Sequence, residues 1–148
     1  MLEAVLTGAV AGGTCIVFAG LGEIVAERSG VINLGTEGSM LCGALAAYAV
    51  GIETGNPWLG VVAGLLAGAL LAAVHAVLVL HRGANQIAVG LVVSFLGIGI
   101  TALFGQDYVG QGVVPLESWA IPGLSSLPLL GPVLFDHDPL TYISFLAV

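Results

Sequence analysis

Residues 58–80 read WLGVVAGLLAGALLAAVHAVLVL. These 23 residues hold no Asp, Glu, Lys or Arg. Coiled as an α-helix, they exceed the roughly 20 residues needed to cross about 30 Å of hydrocarbon. Gly60, Gly64, Gly68, Ala72 and Ala76 recur at every fourth position, so one face of that helix is lined by small side chains. Where no hydrophobic force drives helices together, such a face lets two backbones approach closely and gain packing contacts. The stretch therefore predicts a membrane-spanning helix with a neighbour pressed against it.

Working outward, comparable apolar runs occupy about Leu2–Leu21, Val31–Ile52 and Ile87–Phe104. Another starts near Leu140 and reaches Val148, too short a piece to span. Two of these runs carry small-residue rows of their own: Gly35, Ser39, Gly43, Ala47, Gly51, and Ala4, Gly8, Gly12. The expected fold is an all-α, polytopic transmembrane helical bundle forming a single domain over residues 1–148, the front part of a longer chain cut within its fifth span. Composition agrees: 58% of the residues are hydrophobic and 7% are charged, against about 25% charged in soluble domains. A soluble fold of this size leaves too much surface exposed to hide so many apolar side chains.

The net charge of −7 comes from nine acids, placed mostly between the apolar runs, against Arg28 and Arg82. So few basic residues exclude a nucleic-acid footprint. Both arginines fall in connections that share one side if every run crosses, and positive residues near span ends favour the cytoplasm. The amino terminus is then expected outside. With Glu3 and no Lys or Arg ahead of its apolar run, it does not resemble a cleavable signal. The connection from Gln106 to Pro139 holds five of the six prolines, Pro115, Pro122, Pro128, Pro132 and Pro139. Proline at that density breaks helix, and we expect an extracytoplasmic loop with short turns. Trp58 and Trp119 suit anchoring at the bilayer interface. Cys15 and Cys42 lie inside apolar runs and lack the spacing of a metal or disulfide motif.

The unusual stretch is Glu23–Met40, EIVAERSGVINLGTEGSM, which sets Glu27, Arg28, Ser29, Asn33, Thr36 and Glu37 at or inside the start of the second run. Asn33 and Glu37, four apart, would share a helix face, while Gly30, Gly35 and Gly38 weaken regular helix between them. A polar, glycine-broken segment at membrane depth persists only where protein or a water-filled cavity shelters it. An ionisable group there is a functional candidate by default. The plainer alternative is a solvated loop with Glu37 reaching the bilayer edge.

ERSGVINLGTEGSM (27–40) resembles the signature after the first span in permeases of bacterial ABC importers. It is closest to the branch for nucleosides and simple sugars that works with a binding lipoprotein of the basic membrane protein type. RGANQIAVGL (82–91) is similar to the Asn-Gln motif that opens a later span in that branch. LPLLGPVLFDHDPLTYISF (127–145) resembles, more weakly, the outer loop leading into the next span. Thr36 and Ser39 depart from the larger apolar residues expected at their positions, which leaves the subgroup open. The resemblance implies a multi-pass subunit of the bacterial cytoplasmic membrane that moves a nucleoside or simple sugar by alternating access. Asn33, Gly35, Glu37 and Gly38, with Asn85, Gln86 and Gly90, would then line the route. It implies a second permease, an ATPase subunit and an extracytoplasmic lipoprotein as partners, and no cofactor. The basic coupling stretch of such permeases lies beyond these residues, so this portion is not expected to couple ATP hydrolysis to transport alone.

Catalysis finds no support, for the sequence holds no phosphate loop, nucleophile elbow or zinc-helix motif. His75, alone within the third run, could relay protons, but a hydrogen bond to a neighbouring helix is the favoured expectation. Asn85 suits either helix N-capping or solute contact, and His81 suits an interfacial cap. His137, between Asp136 and Asp138, is not expected to bind metal, because adjacent residues point apart. Two rival functions remain at this level: a proton-coupled secondary transporter using Glu37 or His75, and a non-transporting scaffold built of small-residue faces.

Overall fold

A computed structural model describes residues 1–123, 125 and 130–148. Pro128 and residues 127–129 of the third family-like motif lie outside the described residues. The described chain is mostly helical: α1 (Leu2–Arg28), α2 (Thr36–Thr54), α3 (Pro57–Ala76), α4 (Gln86–Phe104), a short α5 (Leu130–Leu134) and α6 (Pro139–Ala147). Strands β1 (Trp119–Ala120) and β2 (Asp136–His137) pair antiparallel, with Trp119 opposite His137. The segments Leu2–Arg28, Pro57–His81 and Gln86–Tyr108 are long and apolar enough to cross a membrane. They turn large apolar side chains outward, among them Leu65 and Phe95 at 69% exposure and Val92 at 63%, as lipid-facing helices do. The protein is an all-α transmembrane bundle.

Two compact units make up the chain, Met1–Gly22 with Leu116–Val148, and Glu23–Pro115. In the first, α1 and α6 meet through hydroxyls. Thr14 Oγ1 lies 3.4 Å from Thr141 Oγ1 and 3.5 Å from Ser144 Oγ. Asp138 caps α6, its Oδ1 accepting from the Leu140 and Thr141 amides at 2.9 and 3.1 Å. Tyr142 ties the strand pair to α6 by donating its hydroxyl proton to the Trp119 carbonyl at 2.9 Å.

The second unit is built on helix pairing. α2 and α3 form a hairpin joined by Gly55 and Asn56. Gly55 ends α2 in the left-handed region at φ 65°, which glycine alone adopts without strain. Asn56 caps α3, its Oδ1 accepting from the Trp58 amide at 3.0 Å, and Pro57 takes the first helical position, where no amide proton is needed. The two small-residue rows meet face to face. A Cβ built on Gly60 would lie 2.6 Å from the Ala47 carbonyl oxygen, one on Gly64 2.9 Å from that of Gly43, and one on Gly68 3.5 Å from that of Ser39. The third row behaves differently, since no described atom approaches within 4 Å of a Cβ at Gly8 or Gly12.

Helix limits depart from the apolar runs where polar residues are good helix formers or where partners lie elsewhere in the chain. α1 continues seven residues past Leu21 and ends with Gly30 left-handed at φ 80°. There Val31 N donates to Ala26 O at 3.0 Å and Gly30 N to Glu27 O at 2.9 Å, a closed helix end. α2 starts only at Thr36, because Val31–Gly35 is not helical. α3 continues into a π-helical turn, Val77–His81. α4 runs into a 3₁₀ turn, Gly105–Tyr108, whose Tyr108 hydroxyl donates to Glu53 Oε1 at 2.8 Å. Tyr48 hydrogen-bonds the Gln111 carbonyl beside it. Cys42 is buried beside Val93 and Leu71, whereas Cys15 is exposed on α1.

Candidate functional site

The connection from α1 to α2 lacks a helical ladder, so its backbone polar groups need other partners. Those of Gly30–Gly35 find them mainly in side chains. Gln86, at the first position of α4, accepts from the Ile32 amide through Oε1 at 2.7 Å and offers Nε2 to the Gly30 carbonyl at 3.4 Å. Glu23, five residues before the end of α1, accepts from the Asn33 amide at 3.1 Å with one carboxylate oxygen. Its other oxygen accepts from the Thr36 hydroxyl at 2.9 Å. That hydroxyl also lies 3.0 Å from the Asn33 carbonyl. Ser94 Oγ donates to the Leu34 carbonyl at 2.7 Å. Asn33 Oδ1 accepts from the Gly35 amide at 3.0 Å, an Asx turn that bends the chain into α2.

Glycines bring the pieces into contact. A Cβ on Gly38 would lie 2.6 Å from the Val93 carbonyl oxygen, and one on Gly97 2.5 Å from Gly38 Cα. On Gly90 it would meet the Leu34 amide nitrogen at 2.8 Å, and on Gly35 the Val93 side chain, itself 2% exposed, at the same distance. α2 and α4 thus touch backbone to backbone, with Gly30–Gly35 wedged against the opening of α4.

Of the seven residues singled out in the sequence, Asn33, Gly35, Gly38, Gln86 and Gly90 come together here. Glu37 and Asn85 stand at the edge with exposed side chains. The expectation that Asn33 and Glu37 share a helix face fails, because Asn33 precedes the helix and spends its side chain on the turn. Asn85 is an N-cap, its Oδ1 accepting from the Ala88 amide at 3.1 Å. Glu23 and Ser94 were missed as site residues. A carboxylate within a long apolar helix was the available signal for Glu23; nothing local marks Ser94. A hollow of about 380 Å³ belongs to the other unit, lined by Val10, Gly13, Thr14, Val17, Ser144, Phe145 and Val148, and includes none of the seven.

The histidines resolve differently. His75 is 2% exposed, and neither ring nitrogen has a hydrogen-bond partner among the described residues, so the expected helix-to-helix bond is not seen. His137 is buried, with Nε2 2.8 Å from the Val133 carbonyl oxygen. Among the described residues no three His, Cys, Asp or Glu side chains are grouped to hold a metal.

Long apolar helices, with a side-chain-held connection at Gly30–Gly35 leading from α1 into α2, define a multi-pass membrane protein. Residues 5–129 match the family described as the permease component of the branched-chain amino acid transport system, and the chain belongs to that family. It is 42% identical, over 97% of its length and 45% of the relative's, to a putative glucose ABC transporter permease protein of Haloferax volcanii. To a guanosine ABC transporter permease protein of Bacillus subtilis it is 31% identical over 90% of its length and 44% of the relative's. To a nucleoside ABC transporter permease protein of Lactococcus lactis it is 30% identical over 91% and 45%. The chain spans less than half the length of these curated relatives. No solved structure matches it.

Proposed function

We propose that the whole protein is a permease subunit of an ABC importer, carrying a nucleoside or simple sugar across the cytoplasmic membrane. The observation that carries this reading is the Gly30–Gly35 break, held by Glu23, Gln86 and Ser94 within the family-matched residues. A connection fastened by side chains from α1 and α4 suits the side of a pathway. The names of the sugar and nucleoside relatives support the solute class. In this reading the route runs beside the junction. Asn33, Glu37 and Asn85 offer it polar groups, Gln86 holds the segment beside it, and Gly35, Gly38 and Gly90 give the close packing that shapes it. A second permease completes the pathway, an ATPase subunit supplies energy, and an extracytoplasmic lipoprotein delivers solute. Catalysis belongs to the ATPase subunit.

The test is uptake of labelled guanosine and glucose into cells expressing the full-length protein with its ATPase and partner permease. Uptake should stop when the ATPase is inactivated and survive collapse of the proton gradient. The reverse pattern would establish the proton-coupled rival, and no uptake of either class would favour the scaffold.

A further inference from the structure

We infer that Glu23 and Gln86 are positioning residues, two latches that pin the Gly30–Gly35 segment between the end of α1 and the start of α4 and make it move as a hinged unit during transport. The inference rests on the permease reading and deepens it. No helical ladder crosses Val31–Gly35. Its amides at Ile32 and Asn33 are answered by side chains from two different helices, at 2.7 and 3.1 Å. Gly30, left-handed at φ 80°, and the Asx turn at Asn33–Gly35 bracket the segment at its two ends.

Each latch grips at two points. The single amide of Gln86 accepts from Ile32 and faces the Gly30 carbonyl, as a strand partner would. The Glu23 carboxylate takes the Asn33 amide and the Thr36 hydroxyl, serving α2 where its own N-cap, Gly35, has no side chain. A backbone bond within a helix cannot be given up without unwinding the helix, whereas a side-chain latch releases by a rotamer change. The segment is therefore fastened reversibly to helices on either side of it. Glu23 and Gln86 act through the segment they hold, and we assign them no contact with solute.

The test uses the full-length permease with its partner subunits in lipid vesicles. Hydrogen exchange of the 31–35 amides is read beside the KM and maximal rate of uptake. Gln86→Ala should speed exchange at Ile32 at least tenfold, and Glu23→Ala should do so at Asn33. Both should lower the maximal rate at least fivefold and leave KM within twofold. Glu23→Gln keeps an acceptor for the Asn33 amide and offers a donor to Thr36 Oγ1. It should restore slow exchange and at least half the rate, and so it tests the latch in a protein that folds. Faster exchange with an unchanged rate would show the bonds to be structural only and overturn the inference. Unchanged exchange in a protein that still transports would overturn it while leaving the permease reading intact. A parent protein that transports nothing, yet whose exchange follows the substitutions, would overturn the permease reading and the assigned role with it.

Discussion

Gly38 and Gly97 are where a single carbon atom decides whether α2 and α4 can meet. A methyl at Gly38 would sit 2.6 Å from a carbonyl oxygen and 2.7 Å from Ser94 Cα, both backbone atoms that cannot step aside. Gly38→Ala should destabilise the full-length protein by about 1–3 kcal/mol, the cost of overpacking. Gly99→Ala, also on α4 but with no described atom within 4 Å of the added carbon, should be neutral or slightly stabilising. Thermal unfolding in detergent compares the two. His75 poses the opposite case, a buried polar ring with neither nitrogen partnered among the described residues. Leaving such groups unsatisfied costs about 1–3 kcal/mol, and an apolar replacement of similar size removes that cost. His75→Leu should therefore keep or raise the melting temperature and leave uptake in place, whereas a proton relay through His75 would make the same substitution abolish uptake.

At the scale of elements, hydroxyls and caps do the joining. Thr14 is the hub of the buried cluster that ties α1 to α6 through Thr141 and Ser144. Thr14→Val preserves shape and removes the hydrogen bonds, and should cost about 0.6–1.7 kcal/mol, the range of such bonds between membrane helices. Asn85→Ala should cost about 1 kcal/mol through the lost cap on α4, and Asn85→Asp should restore it. If Asn85 also touches solute, the Asp variant would recover stability but not KM. The elements were legible in the sequence to an uneven degree. The α2 and α3 small-residue rows were read from spacing alone, and their contact at Gly60, Gly64 and Gly68 follows from that spacing. The start of α2 was not, because what holds Val31–Gly35 out of helix lies 54 and 60 residues away, in Gln86 and Ser94. Periodicity reports local geometry and cannot see a partner on another helix. For the same reason Asn33 was placed on a helix face, although Asn two residues before Gly35 is also a turn signal.

For the whole molecule, the two arginines gather at one end of the second unit. Arg28 precedes Gly30, and Gly30 is held by Gln86, four residues after Arg82. The acidic connections meet at the other end, where Tyr108 reaches Glu53. If positive residues set orientation, a cysteine at Ser29 should label from the cytoplasmic side and one at Asn56 from outside. Labelling of full-length protein in intact cells with a membrane-impermeant thiol reagent reads this directly, and the opposite pattern would invert the topology proposed for the permease.

α2 opens on Thr36, Glu37, Gly38 and Ser39 and closes on Glu53 and Thr54, and it is not among the helices apolar enough to cross by themselves. α3, two residues further on, is far more apolar and interlocks with it along three turns. During synthesis, then, α2 has no strong claim on the lipid until α3 leaves the ribosome. The pair would partition together as a prefolded hairpin turned at Gly55 and Asn56, the apolar helix carrying the less apolar one into the bilayer.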